Sequence, residues 1–150
     1  MVSVPGTVVI RDLREEERAW ADARYREIRF AVTPPTSIAL VAERADLGGA
    51  RVGLGRLVAH APDVRELGGI WTHEGSRGLG VARAMVAALL ARHERGDHVG
   101  PLWCIPFVHL VAFYRSCGFA VSAPPWPPAI AAKVAACVAQ ALPEVVVLAR

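Results

Sequence analysis

The first chemistry legible in the chain is a place for an anion. Ile70-Trp71-Thr72 ends an apolar, β-like run, and His73-Glu74-Gly75-Ser76-Arg77-Gly78-Leu79-Gly80 follows as a glycine-rich turn. Val81-Ala82-Arg83-Ala84-Met85-Val86 then opens an alanine-rich helical pattern. Such a join aims unpaired backbone N–H groups and the positive end of a helix at one point. Glycine lets the backbone approach a ligand closely, so the amides from Gly78 to Ala82 can line phosphate oxygens. Arg77 adds a charged donor. Two nucleotide motifs fail here. A P-loop needs Gly-Lys-Ser/Thr, and the turn holds no lysine. A dinucleotide fingerprint needs a small residue three positions after Gly80, where Arg83 stands, and it needs a strand–helix–strand unit that the pattern lacks. Glycines also end strands and let helices pack, so the turn alone leaves that reading open.

Arg77-Gly78-Leu79-Gly80-Val81-Ala82 resembles the Arg/Gln-x-x-Gly-x-Gly/Ala signature of the GNAT superfamily, the acetyl-CoA-dependent N-acyltransferases. A second block, Ala112-Phe113-Tyr114-Arg115-Ser116-Cys117-Gly118-Phe119, is similar to that family's helix ending in Phe-Tyr-x-x-x-Gly-Phe. The two blocks come in the family's order, and the coarse layout agrees along most of the chain. The resemblance implies that the diphosphate of acetyl-CoA lies on Arg77, Gly78, Leu79, Gly80, Val81 and Ala82. It implies that Ile70, Trp71 and Thr72 pair through their backbone with the pantetheine arm, in a cleft where this strand splays from Leu102–Ile105. It also implies that Tyr114 protonates or hydrogen-bonds the departing thiolate. Two departures are visible. A proline common before the glycine turn is replaced by Glu74, and an asparagine seven residues before the tyrosine by Phe107.

Acyl transfer to an amine needs a neutral amine, a polarised thioester, a stabilised oxyanion and a proton for the thiolate. An alkyl amine is protonated near neutral pH, so a base helps. Glu66, eleven residues before Arg77, is the candidate, at a spacing similar to that in family members with a glutamate base. An edge-strand carboxylate or an ion-pair partner is the equal alternative. His73 and His109 are rival bases. A backbone N–H of the Ile70–Thr72 strand would hold the oxyanion. Cys104 has no adjacent base to activate it, so it reads as a core thiol and the mechanism as direct attack in a ternary complex. Gly68-Gly69 in mid-strand marks a bulge or a close approach, and a bulge would re-aim Glu66 relative to Thr72.

The elements that must position these residues follow from periodicity. Thr7–Arg11 is a first strand, and Asp12 is the expected N-cap of a helical pattern running with breaks to about Phe30, before Pro34-Pro35. Ser37–Glu43 and Arg51–His60 form an antiparallel hairpin, and Glu66–Thr72 is the strand feeding the turn. Ala82–Arg95 is a strong helix. Leu102–Ile105 is a short buried strand, Val108–Cys117 a helix, Phe119–Val121 a strand, Ile130–Leu142 a helix and Val145–Leu148 the last strand. Hairpins first and a crossover later predict an α/β (α+β) fold: a mixed six- to seven-stranded sheet flanked by helices, GNAT-like, in a single domain over residues 1–150.

Bulk properties exclude several classes. Of 150 residues 53% are hydrophobic and 21% charged, too apolar for disorder. No apolar run reaches the roughly 18 residues of a membrane span. The start Met1-Val2-Ser3-Val4-Pro5-Gly6 lacks the layout of a signal peptide, which points to the cytoplasm. Three cysteines show no metal spacing, and reduced thiols are expected. All the basic residues but Lys133 are arginines, dispersed and without aromatic partners, which reads as compositional bias and argues against nucleic acid, including a toxin acting on aminoacyl-tRNA. The amine acceptor, a small molecule or a protein amine, is expected between the first helical region and the segment before the last strand. There Tyr25, Arg26, Arg29 and Phe30 would face Trp126 and its prolines. The helix over 130–142 would lid that site or pack on the sheet. The alternative function is a non-catalytic acyl-CoA sensor, which has no need of both Glu66 and Tyr114. A homodimer is an option by family habit.

Overall fold

The computed structural model describes residues 8–150. Thr7 of the first expected strand and the Met1–Gly6 start lie outside them. Among the described residues seven strands form: β1 (Val8–Asp12), β2 (Ile38–Arg44), β3 (Ala50–Ala61), β4 (Val64–Thr72), β5 (Leu102–Cys104), β6 (Ala120–Val121) and β7 (Leu148–Ala149). Four helices join them: α1 (Arg18–Glu27), α2 (Val81–Glu94), α3 (Val111–Ser116) and α4 (Pro128–Ala139). The strands are neighbours in the order β1-β2-β3-β4-β5-β7-β6. The β1–β2, β2–β3, β5–β7 and β6–β7 pairs are antiparallel, and β4–β5 is parallel, with α2 in the crossover. The sheet is thus mixed, as the element order predicts. The contacts divide into two compact units, one reaching to Val58 with Gly69–Gly96, the other Ala59–Gly68 with Asp97–Arg150.

In the first unit, Leu40, Val41 and Ala42 of β2 and Val52, Leu54 and Leu57 of β3 are buried. Val41 and Leu54 cluster with Ala21 and Tyr25 of α1, and Val81, Met85, Val86 and Leu89 are the buried side of α2. Each such side chain contributes about 1.5–3 kcal/mol on leaving water. Two glycines set how close α2 comes. A Cβ on Gly55 would lie 2.7 Å from Met85 Cγ and 2.8 Å from Leu89 Cδ1. One on Gly53 would lie 2.9 Å from Val81 Cγ1. The helix therefore rests on bare backbone of β3.

The N-terminal helix departs from expectation. It starts at Arg18 and ends at Glu27, well before the prolines. Asp12 does not cap it. Arg92 takes both Asp12 oxygens at 2.6 and 3.1 Å, and Glu17 instead accepts from the Arg14 N–H at 3.0 Å. A charged two-pronged partner outcompetes a neutral amide for the carboxylate. Glu17 is itself held by Arg11, whose hydrogen bond pulls its pKa down to about 2 against the effect of burial.

The second unit packs Val64, Trp103, Ile130 and Val147 into one cluster, with Ile105, Trp126 and Val134 against it. Pro128 stands at the first turn of α4, where a missing N–H is harmless. Helix α4 therefore starts two residues earlier than the periodicity suggests and stops at Ala139. The last strand contracts to Leu148–Ala149. Val145 makes an isolated bridge to Phe107 instead.

In β4 the glycine pair is a kink. Gly69 adopts φ 60° inside the strand, a left-handed conformation that L side chains resist. Its carbonyl accepts from the Tyr25 hydroxyl at 2.8 Å. A Cβ on Gly69 would sit 2.8 Å from both Tyr25 Oη and Arg56 Nε. Neither neighbour can retreat. Arg56 lies over the Tyr25 ring at 4.2 Å and donates to Thr33 Oγ1 at 2.9 Å. Gly69→Ala should cost about 1–3 kcal/mol for the backbone and a similar amount for the clash. A urea midpoint lowered accordingly, with α2→sheet substitutions such as Gly55→Ala as the packing control, checks it.

Candidate active site

The glycine-rich turn is built by backbone conformation. Gly78 and Gly80 have φ of 77° and 80°, and Gly80 is the residue that caps α2. A Cβ on Gly78 would meet nothing within 4 Å, so this glycine is there for its φ and not for packing. Helix α2 has no side-chain cap on its first amides and no acid in its first turn. Its N-terminal N–H groups and partial positive charge are thus left for an external acceptor. Arg77, Gly78 and Gly80 are exposed, Leu79 and Ala82 half-buried, and Val81 buried, anchoring the turn. The seat of α2 on β3 fixes where this end points. The strand before the turn, Ile70–Thr72, is half-buried, and His73 N–H is bonded to Val52 O at 2.8 Å.

Glu66 is placed differently from an open base. It is 2% exposed. His60 Nε2 donates to its Oε1 at 2.8 Å, and the Lys133 ammonium of α4 is bonded to Oε2. Burial works to raise its pKa, but the His60 hydrogen bond and the charge and hydrogen bond of Lys133 outweigh it and hold the group below the usual carboxylate range. Glu66 stands in register with Trp103 across the parallel β4–β5 pair, and that pairing ends there. A pocket of about 610 Å³ lies alongside, lined by His60, Asp63, Val64, Trp103, Pro127 and Pro128 among others. The Trp103 indole N–H is buried with no hydrogen-bond partner, so it can bond an acceptor atom.

Tyr114 is 5% exposed, with Phe113 and Phe119 packed edge-on at 5.0 and 6.1 Å. Burial, then the neighbouring Cys104 and Cys117, push its phenol well above the ordinary tyrosine value. It therefore stays protonated and is equipped to donate. Cys104 is buried, and burial, then the Glu66 charge, push its thiol up, which removes the thiolate a covalent relay needs. His73 Nδ1 accepts from Gly75 N–H at 3.1 Å and so serves the turn. His109 is exposed and stacks on Phe107.

Of the residues expected at an acceptor site, Tyr25 and Trp126 are packed in the cores of their own units and Arg29 is exposed. Tyr25 is 2% exposed, and its hydroxyl is spent on the Gly69 carbonyl. That is a core position, because a left-handed residue in mid-strand turns its carbonyl out and needs a donor. Trp126 donates its indole N–H to Ser122 O at 3.0 Å and packs on the second unit's core. Arg29 is exposed with φ 63°, closing α1 where glycine is usual. Among the described residues no group of three or more His, Cys, Asp or Glu could hold a metal, and no helix is long and apolar enough to cross a membrane.

Residues 8–119 match the acetyltransferase (GNAT) family. The chain belongs to this family. No curated protein is matched by the sequence. Among solved structures, the N-acetylglutamate synthase of Neisseria gonorrhoeae, complexed with coenzyme A and N-acetyl-glutamate, superposes with TM-score 0.72 at 15% identity. That match covers 97% of this chain but 35% of the synthase. Rv2747 from Mycobacterium tuberculosis, in complex with CoA and NLQ, gives 0.70 at 17% identity over 94% of this chain and 97% of that one. Spermidine/spermine N-acetyltransferase SpeG from Vibrio cholerae gives 0.65 at 13% over 96% and 92%. At these identities the likeness is one of fold.

In this GNAT chain, sequence reasoning found the carboxylate but missed what holds it. His60 and Lys133 carried no motif. The one signal was that Lys133 is the only lysine in a chain that otherwise uses arginine. An ammonium is a compact point charge on a long flexible stem, and it takes the one carboxylate oxygen that His60 leaves, where a guanidinium fork would engage both. The ion pair also has a pH signature. Glu66's folded pKa lies below its unfolded one, so its contribution is present above the unfolded value, near 4.5, and lost as pH falls through the folded one. Glu66→Gln should therefore cost about 1–3 kcal/mol at neutral pH, and the gap to the parent should narrow below about pH 4.5. Urea midpoints of both proteins from pH 7 to pH 3 check this.

Proposed function

We propose that the chain is an acetyl-CoA-dependent N-acetyltransferase acting on a primary amine, by direct attack in a ternary complex and as one catalytic domain. One observation carries the reading: an uncapped, acid-free N-terminus of α2 behind two left-handed glycines, in a chain of the GNAT family. The residues fit a diphosphate. The amides of Gly78 to Ala82 would donate to its oxygens and Arg77 would add charge, while the backbone of Ile70, Trp71 and Thr72 would carry the pantetheine arm. Glu66 is the base of this reading. Its lowered pKa makes it a modest one, and the amine proton would be taken at Oε2, since Oε1 already accepts from His60. Tyr114, held protonated, would donate to the departing thiolate. The acceptor amine is assigned to the pocket of His60, Asp63, Trp103, Pro127 and Pro128, where the indole N–H of Trp103 waits for an acceptor atom. Tyr25 and Trp126 enter this reading as supports, and Arg29 as an exposed charge for an acidic acceptor. Cys104, Cys117 and Cys137 form no disulfide among the described residues, and the cytoplasm is the compartment of this reading.

Gly80→Asp places a negative charge and a side chain at the turn, against φ 80°. Coenzyme A binding by calorimetry should be lost, and unchanged affinity refutes the assignment of the turn. Tyr114→Phe keeps the ring packing and removes the proton. Its kcat, followed by thiol release with a panel of amines, should fall about 10²-fold with coenzyme A affinity retained. Undiminished turnover would remove Tyr114 from the reaction. Coenzyme A bound but never released with any amine would favour the sensor.

A further inference from the structure

Lys133 is where a substrate amine would have to be. The base of the proposed reaction must touch the nitrogen it deprotonates. In the folded chain that contact is already made from within, since the Lys133 Nζ is bonded to Glu66 Oε2 while Oε1 is taken by His60. The lysine compensates the buried carboxylate, but the seat of its helix does not rest on it. Helix α4 is held by Ile130, which is fully buried, and by Val134 on the Trp103 cluster. The Lys133 side chain is 40% exposed and projects from that helix to the carboxylate as its chain's one ε-amine. Its reach is adjustable, because four rotatable bonds separate Nζ from the backbone.

From this placement we propose that Lys133 is an acetylation site of the enzyme itself: the chain transfers an acetyl group from acetyl-CoA to its own Lys133 Nζ. The inference rests on the acyltransferase reading above. In the step, the ammonium gives one proton to Glu66 at Oε2, which holds it until it passes to solvent as the products leave. The neutral Nζ attacks the thioester carbonyl carbon, an N–C bond forms, and the C–S bond breaks. The second nitrogen proton goes to the thiolate. The products are an Nε-acetyl-lysine amide and coenzyme A. The reaction is slow, because the amine must give up its ion pair with the carboxylate before it can attack. It changes the site: the amide carries no charge, so Glu66 Oε2 is released from its internal partner and becomes open to an external amine in the adjoining pocket.

The test is mass spectrometry of the purified full chain after incubation with isotopically labelled acetyl-CoA. The expected result is one labelled acetyl group on the Lys133 peptide, gained at a first-order rate independent of protein concentration. Lys133→Arg keeps a cation for Glu66 and should stay unlabelled on that peptide. Glu66→Gln should slow the labelling about 10²-fold, and Gly80→Asp, altered only in the surface turn, should stop it. Labelling at an unchanged rate in Gly80→Asp marks a merely chemical modification and overturns the proposal. A rate rising with protein concentration shows transfer between copies and also overturns it. If external amines are acetylated while Lys133 stays bare, this inference fails and the acyltransferase reading stands. If the parent chain binds no coenzyme A, both fall.

Discussion

The closeness of α2 to β3 governs what the first unit can do. A helix carrying Val81, Met85 and Leu89 lies on the bare backbone of Gly53 and Gly55, so its axis has little freedom to rise or slide. That rigidity reaches the loop before it. The left-handed Gly78 and Gly80 turn the chain into a helix whose first amides no side chain satisfies. An anion site made of backbone is only as well placed as the helix that ends in it. Here the placement is set by interior packing, on the opposite end of the residues that would touch a ligand.

A second constraint belongs to the second unit: a carboxylate at 2% exposure must be compensated. Glu66 is compensated twice, by a histidine from β3 and a lysine from α4. The two partners are unequal in kind. His60 offers a ring N–H, whereas Lys133 brings a full charge on a long, half-exposed side chain. Desolvation alone would make Glu66 a stronger base; its partners make it a weaker one. A site of this type trades basic strength for position, and position is what proximity effects reward.

Much of this was legible in the chain, and the parts that were not share a cause. The turn from Arg77 to Gly80 and the helix after it were readable because glycine spacing and apolar periodicity are local. The mid-strand glycine pair announced the kink at Gly69 for the same reason. Asp12 misled, because a carboxylate before a helical pattern looks like a cap until Arg92, eighty positions away, claims it. Tyr25 and Trp126 looked like exposed recognition residues because an amphipathic side chain gives no sign of which end is wet. The His60–Glu66–Lys133 set joins a lysine to a carboxylate 67 positions before it, and only the packing of α4 within the second unit brings them together. Local rules see elements and caps, while partners chosen across the fold are beyond them.

The kink at Gly69 also binds the history of three positions. Tyr25 supplies the donor that a turned-out carbonyl demands, Arg56 covers the tyrosine ring, and both fill the volume a side chain at position 69 would need. A drift to any larger residue at 69 is blocked while the other two remain. Loss of the phenol, in turn, leaves a bare carbonyl that only a straightened strand could reabsorb. The three positions are therefore coupled through one volume and one hydrogen bond, and a change at one is accommodated only with changes at the others.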